Sequence, residues 1–273
     1  MELEGGVAIV TGAGGGIGSE IARRLAAEGM SLVLADRSRT NLDIAAESVG
    51  RSVNVVTATG DVGEPAHHAA LVTAAQDLGG LTVSVQNAGI YLPGLSWEVP
   101  LEQWELQMRV NFWGVLHGVR AAMGVMVERG TGHIMATASG AGLVATPALA
   151  PYVASKHAVV GLMESLRHEL ARAAPGLRAS VICPGNVHTP IAANSLAAAG
   201  IGVEHLSAVA QGVADTVRAG NQAGQEPSTV ADAVVDALRS GRFWVLPQPE
   251  VGLGALDRVQ RIVDGREPVD LLG

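Results

Sequence analysis

The chain has 273 residues, of which 48% are hydrophobic and 16% are charged, and its net charge is −8 at pH 7. A chain of this length buries enough surface to fold without a disulfide or a structural metal. The acidic balance argues against nucleic acid as a partner, because a phosphate-binding surface needs clustered Lys and Arg. The low charged fraction predicts that part of the surface is covered by a partner, with a second copy of the chain as the first candidate.

The start of the chain and its apolar runs give no sign of a membrane. Residues 1–6 are acidic and lack the basic segment of a signal peptide, and no apolar stretch reaches the roughly 18 residues of a membrane helix. The single cysteine, Cys183, cannot form an internal disulfide and is most simply a small buried hydrophobe in a strand. We therefore expect a cytoplasmic protein without a membrane segment.

Short apolar and β-branched runs alternate with longer helical segments along the chain. Runs that are apolar throughout are typical of strands covered on both faces of a parallel sheet. Seven strands are predicted, over residues 7–11, 31–35, 53–58, 82–86, 133–137, 179–183 and 243–246. The repeated strand–helix–strand order predicts a doubly wound α/β fold, with a mainly parallel sheet of about seven strands and helices on both faces.

The segments between the strands predict helices and one insertion. A first helix follows the first strand and closes at Gly29, and longer helices are predicted over 101–128 and 151–174. The Ala- and Gly-rich stretch 190–227 interrupts the alternation and is predicted to be a helical insertion that forms a binding loop. Because no linker or composition break divides the chain, we expect residues 1–273 to form a single domain.

A glycine-rich segment follows the first predicted strand and opens the first helix. It covers residues 11–18 and reads T-G-A-G-G-G-I-G. Glycines at such a turn let the backbone approach a pyrophosphate, although the segment taken alone could be a tight turn. Asp36, at the end of the second strand, is placed where a carboxylate can accept hydrogen bonds from the ribose hydroxyls of adenosine. Together the two features predict a dinucleotide-binding site.

Further motifs give the chain a resemblance to a known family. The six matching parts, in order, are the loop 11–18, Asn87-Ala88-Gly89 at the end of N-N-A-G, Asn111 in N-F-W-G, Ser139 thirteen residues before Tyr152, Tyr152-x-x-x-Lys156, and Pro184-Gly185. From residue 7 to about residue 190 the chain therefore resembles the short-chain dehydrogenase/reductase family in its compact single-domain form.

The resemblance implies a role for each matching residue. Tyr152 is implied as the general acid/base, Lys156 as the group that tunes it and binds the nicotinamide ribose, Ser139 as the residue that orients the substrate oxygen, and Asn111 as the holder of a water that links Lys156 to solvent. The implied cofactor contacts are Gly12, Gly16, Ile17, Gly18, Asp36, Arg37, Asp61, Val62, Asn87, Ala88, Gly89, Tyr152, Lys156, Pro184, Gly185, Val187 and Thr189. Taken singly, Ser139 could tie down a turn and Asn111 could be an ordinary polar helix residue.

The positions of these residues along the predicted strands are independent of the family. The glycine loop and five further residues all follow carboxyl ends of predicted strands: Asp36, Asp61, Asn87, Ser139 and Pro184. Ligands bind beyond the carboxyl ends of the strands in an open α/β sheet. We therefore expect these residues to meet in one crevice.

Tyr152 and Lys156 are four residues apart on a predicted helix and so share one face. Tyr titrates near pH 10, and lowering its pKa by about 3 units takes about 4 kcal/mol. A lysine ammonium ~4 Å away supplies roughly that much at an effective dielectric of 20. One lysine is therefore expected to be enough, with an oxidised nicotinamide adding to the effect.

Two positions depart from the family pattern. Gln86 replaces the first Asn of N-N-A-G, and Ala138 replaces the Ser that often precedes the catalytic Ser. Neither change removes a catalytic group, but the first leaves the hydrogen bonding at the end of the fourth strand open. Metal-ligand spacings and the G-x-S-x-G motif of serine hydrolases do not occur in the sequence, so no metal is expected.

The favoured function is hydride transfer between NAD(H) and a carbonyl or secondary alcohol. A non-catalytic NAD(H)-binding regulatory protein on the same fold is the alternative, and a dehydratase or epimerase is a weaker third. Retention of Asn111, Ser139, Tyr152 and Lys156 together favours the enzyme. The resemblance also implies a homo-oligomer, a tetramer or a dimer, packed through the helices 101–128 and 151–174.

The substrate is expected to be an uncharged, largely apolar alcohol or ketone. Residues 141–151 and 190–227 are predicted to wall the pocket, with no Arg or Lys before Arg218. An acidic substrate would lose its hydration there without a charged partner. The apolar residues assigned to these walls are Leu143, Val144, Pro147, Leu149, Ile191, Leu196, Ile201 and Leu206.

NAD is expected to be preferred over NADP. A carboxylate at Asp36 repels the 2′-phosphate of NADP by roughly 3 kcal/mol at ~5 Å and an effective dielectric of 20. Family members that prefer NADP tend to carry a basic residue where this chain has Gly15. Arg37 is the counter-argument, because a guanidinium beside the ribose could bind a 2′-phosphate.

Overall fold

Seven strands form one sheet in the order β3-β2-β1-β4-β5-β6-β7, and every neighbouring pair is parallel. The computed structural model describes residues 1–50, 52–200 and 206–269. The strands are β1 Val7–Thr11, β2 Ser31–Asp36, β3 Val55–Thr59, β4 Leu81–Gln86, β5 Gly132–Thr137, β6 Leu177–Ile182 and β7 Trp244–Val245. Each predicted strand is present, with ends within two residues of those predicted.

Helices connect the strands and cover both faces of the sheet. They are α1 Gly16–Ala27, α2 Arg39–Val49, α3 Pro65–Asp77, α4 Leu101–Met108, α5 Gly114–Arg129, α6 Ala150–Ala173, α7 Ile191–Ala199, α8 Ala208–Gln222, α9 Pro227–Ser240 and α10 Pro249–Val263. A π-helical turn, Arg109–Trp113, joins α4 to α5, and a 3₁₀ turn, Gly140–Gly142, follows β5. This is the doubly wound, Rossmann-like α/β fold that the sequence predicts.

Two apolar cores lie on opposite faces of the sheet. On one face, Ile21 and Leu25 of α1 pack with Val234 of α9, because their four-residue spacing puts apolar side chains on one side of the helix. On the other face, Val119 of α5 and Met163 of α6 belong to the second core. The sheet is thus buried between two helical layers, which leaves the loops at the carboxyl ends of the strands to form a site.

The predicted helix 101–128 is present as one helical stretch, Leu101–Arg129, which includes the π-helical turn between α4 and α5. Among the described residues it is the one helix long and apolar enough to cross a membrane, judged by length and composition alone. The sequence expectation concerned uninterrupted apolar runs of about 18 residues, and Leu101–Arg129 contains no such run because charged and polar residues interrupt it. In the fold this stretch packs against β4, α3 and α6, as a core helix does.

The predicted insertion 190–227 contains α7 and α8, so its helical character is confirmed where the structure describes it. Residues 201–205 lie outside the described residues, and with them Ile201. A short parallel bridge between Val187 and Gln225 fixes the end of the insertion beside the segment that follows β6. The insertion therefore returns to the carboxyl edge of the sheet, where the site lies.

Candidate functional site

A cavity of about 1300 Å³ opens at the carboxyl edge of the sheet. The strand order reverses between β1 and β4, and in such sheets the loops leaving the two strands diverge and create a crevice. Every predicted site residue lines this cavity except Gly18 and Asn111, which lie directly behind its wall. The expectation that residues at successive strand ends meet in one crevice agrees with this geometry.

Two positions of the loop between β1 and α1 are packed too closely for a side chain. A Cβ added at Gly18 would lie 2.1 Å from the carbonyl oxygen of Gly12, and one added at Gly12 would lie 2.9 Å from the Cα of Ala88. At Gly15, by contrast, an added Cβ would meet nothing within 4 Å. The loop thus presents bare backbone and the amino terminus of α1 to the cavity, a surface that fits a pyrophosphate.

Asp36 ends β2 with its carboxylate held at the edge of the cavity. Its Oδ2 accepts a hydrogen bond from the Gly14 amide at 3.0 Å, and its Oδ1 accepts one from the Ser38 amide at 3.0 Å. Each oxygen keeps a lone pair, so the group is fixed and can still accept hydrogen bonds from ribose hydroxyls. Arg37 is exposed on the cavity rim and makes no ion pair within the described part of the chain.

Asp61 follows β3 and lies between two arginines. Its Oδ2 is 2.6 Å from Nη1 of Arg109, and its Oδ1 accepts a hydrogen bond from the Gly63 amide at 2.8 Å. Burial acts to raise the pKa of Asp61, but these hydrogen bonds and the charges of Arg109 and Arg37 lower it below its usual value. Arg109 lines the cavity and was missed in the sequence because it lies outside every motif.

Asn87 ties three strands together at the centre of the crevice. Its backbone amide donates to the Thr11 hydroxyl at 2.9 Å, and its side-chain amide donates to the Thr11 carbonyl at 3.1 Å. The Thr137 hydroxyl donates to Oδ1 of Asn87 at 3.1 Å. Asn87 therefore fixes the relative positions of the β1, β4 and β5 ends. Thr11 begins the glycine-rich motif, whereas Thr137 is a site residue that the motifs did not single out.

The position of Gln86 resolves the question left by the departure from N-N-A-G. The side chain is buried and donates from Nε2 to the Ser84 hydroxyl at 2.8 Å. Room for it comes from α5, where a Cβ at Gly118 would lie 2.1 Å from the Gln86 amide. The larger side chain is thus accommodated by a glycine on the covering helix.

Tyr152 and Lys156 lie on the first turns of α6 with their side chains together, because residues four apart share a helix face. Nζ of Lys156 is 5.7 Å from the centroid of the Tyr152 ring and donates to the Thr137 carbonyl at 2.8 Å. Lys156 is the only lysine in the chain, and Tyr152 is one of only two tyrosines. The second, Tyr91, packs edge-on against it with ring centroids 6.0 Å apart.

Burial dominates the titration of both groups. It lowers the pKa of Lys156 from 10.5 to about 8. It raises the pKa of Tyr152 above 10, which the Ser139 hydroxyl opposes only in part. The expectation that one lysine is enough to lower the pKa of the tyrosine is therefore wrong for the protein alone, because the same desolvation that surrounds the pair penalises both charged forms.

Ser139 and Asn111 support this pair from two sides. The Ser139 hydroxyl faces the cavity and also accepts a hydrogen bond from the Ala141 amide at 3.1 Å, so it does cap a turn. The Asn111 side chain lies fully buried in the π-helical turn and donates to the Ile90 carbonyl at 2.9 Å and the Ser155 hydroxyl at 3.0 Å. Its donors are thus used within the protein, and its implied part in holding a water stays a prediction.

Comparisons with known proteins agree with this geometry. The model of the short chain dehydrogenase family matches residues 6–200. The chain is 32% identical to a CLA biosynthesis dehydrogenase/reductase of Lactiplantibacillus plantarum, covering 97% of this chain and 96% of the relative. It is 34% identical to a 1-deoxy-11-beta-hydroxypentalenate dehydrogenase of Streptomyces exfoliatus, covering 94% and 88%. The chain belongs to the short-chain dehydrogenase/reductase family.

A solved structure extends the likeness over the whole of this short-chain dehydrogenase. A family member from Burkholderia phymatum, crystallised in complex with NAD, is 32% identical and superposes with a TM-score of 0.92, covering 100% of this chain and 99% of the other. Family membership establishes an oxidoreductase that binds a nicotinamide cofactor.

The segment after β6, which the resemblance assigns to contacts with the nicotinamide, forms part of the cavity wall. Gln248, which precedes α10, accepts from the Gly185 amide and donates to the Asn186 carbonyl, both at 3.0 Å. The side chain is only 2% exposed, so these bonds are shielded from water. Pro184, Val187 and the other predicted contacts of this segment line the cavity as expected, but the residue that fixes the segment comes from sixty residues further along the chain.

The substrate end of the dehydrogenase cavity is more polar than the sequence suggested. Of the apolar wall residues that were predicted, Val144, Leu149 and Ile191 line the cavity. Leu143, Pro147, Leu196 and Leu206 do not line it; Leu143 and Leu206 pack against core clusters instead, and Pro147 is exposed. Polar or charged residues that share the lining there are Tyr91, Thr146, Asn194, Ser195, Thr216 and Glu250. In the described part of the chain, no group of three or more metal-ligating side chains is present.

Proposed function

We propose that this dehydrogenase transfers a hydride between NAD(H) and a carbonyl or secondary alcohol, with Tyr152 as the proton donor and acceptor. The observation that carries the proposal is that Ser139, Tyr152 and Lys156 meet in one cavity whose other end holds the glycine loop and Asp36. When bound, the nicotinamide ring supplies or accepts the hydride. The protein's own groups then have to move one proton at the substrate oxygen.

Tyr152 is suited to that proton transfer in the direction of carbonyl reduction. Burial keeps its phenol protonated at neutral pH, so the hydroxyl donates a proton to the oxygen of the carbonyl as the carbon receives the hydride. In alcohol oxidation the phenolate accepts the same proton. Ser139 lines the cavity next to Tyr152 and orients the substrate oxygen by a hydrogen bond.

Lys156 supports the phenolate form of Tyr152 when alcohols are oxidised. Its ammonium lies beside the phenol and is itself held by the Thr137 carbonyl. A pKa of about 8 leaves most of the lysine charged at neutral pH, so it attracts the negative oxygen as the proton leaves. When bound, an oxidised nicotinamide would add its positive charge to this attraction.

NAD is the proposed cofactor because of the carboxylate at the end of β2. Asp36 is held by two backbone amides at the place where a 2′-phosphate would have to lie, and Gly15 offers no cation to that phosphate. The charge of Arg37 lowers the pKa of Asp61. Part of its electrostatic attraction is therefore directed to Asp61 rather than to the ribose. The NAD complex of the Burkholderia relative supports the same choice.

An uncharged alcohol or ketone is the proposed substrate class. The positively charged residues that line the cavity in the described part of the chain are Arg37 and Arg109, near the strand-end carboxylates Asp36 and Asp61, and Lys156 beside Tyr152. No arginine of this lining therefore lies beside Tyr152 to pair with a substrate carboxylate. Arg218, on α8, is paired with Asp215. The relative named for 1-deoxy-11-beta-hydroxypentalenate supports the reacting hydroxyl only, because the pentalenate in its name is itself a carboxylate.

Tyr152→Phe tests the proposed function directly. The change removes the hydroxyl and keeps the ring, so we expect turnover to fall by about 10²–10⁴-fold, the usual contribution of a general acid/base group. A panel of alcohols and ketones, followed by nicotinamide absorbance, provides the measurement. NAD binding, measured by tryptophan fluorescence, should be unchanged; a variant that keeps more than about a tenth of the wild-type rate contradicts the role. No turnover by the wild-type protein on any compound would favour the non-catalytic regulatory protein.

We also propose that this single-domain protein is a cytoplasmic homo-oligomer, a tetramer or a dimer. Leu101, Trp113 and Val127 expose apolar side chains along the helical stretch Leu101–Arg129, one of the two helical segments predicted to pack against a second copy. Sedimentation at micromolar concentration should show an assembly; a monomer would contradict this part of the proposal.

A further inference from the structure

Residues 90–92, which follow Gly89, are held by three buried side chains rather than by a neighbouring strand. The Ile90 amide donates to Oδ1 of Asn111 at 2.8 Å, the Tyr91 amide to the Ser195 hydroxyl at 3.0 Å, and the Leu92 amide to Oε1 of Gln107 at 2.9 Å. All three acceptors are 1% exposed or less. Three consecutive amides fixed in this way leave the backbone of Tyr91 little freedom.

The Tyr91 side chain is directed to the substrate end of the cavity. It lines the cavity, is 5% exposed and packs edge-on against Tyr152. The hydroxyl makes no hydrogen bond to any group in the described ranges of the chain. The enclosed side-chain polar atoms without a partner do not include the Tyr91 hydroxyl. Part of its surface is therefore accessible, and the residue lines the cavity. A phenol in such a place needs a partner from the cavity, because burying an unpaired hydroxyl is unfavourable.

The two phenols also sense each other electrostatically. Burial is the main cause that raises the pKa of both tyrosines, and the charge of ionised Tyr91 raises the pKa of Tyr152 further. Charges in water interact weakly beyond short distances, so this effect agrees with two hydroxyls that face the same small space.

We propose that Tyr91 is a specificity-determining residue whose hydroxyl binds a second oxygen of the substrate, beside the oxygen that Tyr152 protonates. This inference rests on the proposed function and narrows the substrate class to oxygenated alcohols or ketones, such as vicinal diols and hydroxyketones. Thr146 and Asn194 line the same end of the cavity and make it more polar than a purely hydrocarbon substrate requires. The backbone of residues 90–92 is already fixed before the substrate binds. Less conformational entropy is therefore lost when the Tyr91 phenol makes that contact.

Tyr91→Phe, assayed on a matched pair of substrates, tests the proposal. Cyclohexanol and its vicinal diol share the reacting carbinol and differ by one hydroxyl. A hydrogen bond between neutral groups is worth about 0.5–1.5 kcal/mol, so we expect kcat/KM for the diol to fall about two- to twelvefold and kcat/KM for cyclohexanol to stay the same. Equal losses on both substrates, or no loss on either, would overturn the proposal.

A binding measurement keeps the test independent of turnover. Calorimetric titration of the vicinal diol into the enzyme with NAD present should show weaker binding to Tyr91→Phe than to the wild type by about the same factor. Equal affinity of the two proteins for the diol would overturn the proposal even if neither compound is turned over. The proposed function fails separately, if Tyr152→Phe retains wild-type turnover or if the wild type oxidises no alcohol.

A spectroscopic titration shows whether the hydroxyls of Tyr91 and Tyr152 face the same space. The chain has only these two tyrosines, so the ultraviolet absorbance of phenolate in Tyr91→Phe reports Tyr152 alone, and in Tyr152→Phe it reports Tyr91 alone. We expect the pKa of Tyr152 to fall in Tyr91→Phe, because a neighbouring negative charge is removed. Titration curves of the two single variants that add up to the wild-type curve would show that the phenols do not share one space and would overturn the proposal.

Discussion

The two ends of the cavity are built in different ways. We call the end at the glycine loop and Asp36 the cofactor end, and the end at Tyr91, Thr146 and Asn194 the substrate end. At the cofactor end the cavity wall is formed by backbone groups and by residues directly at strand ends, such as Gly12, Asp36 and Asn87, which are held by hydrogen bonds and close packing within the protein. At the substrate end, Tyr91 is positioned by side chains from α4 and α7, and the segment after β6 is fixed by Gln248. A close backbone approach restricts the residue type at each position, whereas side-chain positioning can be achieved by many combinations.

This difference explains why one end carries motifs and the other does not. At Gly12 and Gly18 the glycine loop tolerates almost no change, because an added Cβ would lie 2.9 and 2.1 Å from backbone atoms. The amides of residues 90–92 need only an acceptor, which Asn, Ser and Gln supply equally well. Substitution at the cofactor end should therefore impair every reaction of the enzyme, and substitution at the substrate end should change its choice of substrate.

Gly18→Ala is the change expected to have the largest effect at the cofactor end. The added methyl group would clash with the Gly12 carbonyl and displace the loop. Overpacking of this kind costs about 1–3 kcal/mol, so NAD affinity, measured by calorimetry, should fall by a factor between about five and about 140. Gly161→Ala, on the open side of α6, is the matched control, because its methyl group would meet nothing within 4 Å. A Gly18→Ala variant with wild-type affinity would contradict the close-approach argument.

Asp36→Ala should have a smaller effect and should change the choice of cofactor rather than binding in general. The wild type is expected to use NAD at least about tenfold more efficiently than NADP, because a carboxylate near a 2′-phosphate repels it by roughly 3 kcal/mol before screening. The variant should narrow that gap. Steady-state kcat/KM with each cofactor provides the measurement, and Arg37→Ala is the control that should leave NAD use intact. A wild type that prefers NADP would show that Asp36 has another role.

Lys156 lies where the two ends meet, and its burial should be visible in the pH dependence of stability. Its pKa is about 8 in the folded protein and 10.5 ordinarily. Between these values the unfolded chain binds more protons, so the free energy of unfolding gains a contribution that rises with pH. From pH 7 to pH 9.5 this contribution is about 2 kcal/mol, at 1.36 kcal/mol per pKa unit.

Urea unfolding of the wild type and of Lys156→Met at the two pH values isolates that contribution. All other titrating groups are common to both proteins, so the wild type should gain about 2 kcal/mol more than the variant between pH 7 and pH 9.5. Equal gains would mean that the lysine titrates normally and is not desolvated.

The sequence by itself determined the sheet and the cofactor end. Strand order along the chain, right-handed crossovers and residues at strand ends follow from apolar periodicity and from backbone constraints, which are local properties. For this reason the loop 11–18 and Asp36 are predictable from the order and spacing of residues, whereas the Tyr152–Lys156 pair is identified through the resemblance to the family.

Tertiary structure alone decided the features that depend on distant side chains. The pairing of Tyr91 with Tyr152, the accommodation of Gln86 against Gly118 and the ion pair between Arg109 and Asp61 each join segments far apart in the chain. The pKa of Tyr152 belongs to the same group, because its direction depends on how much water the fold excludes from the phenol. Spacing along the sequence carries no record of which side chains meet across the cavity or how dry that cavity is.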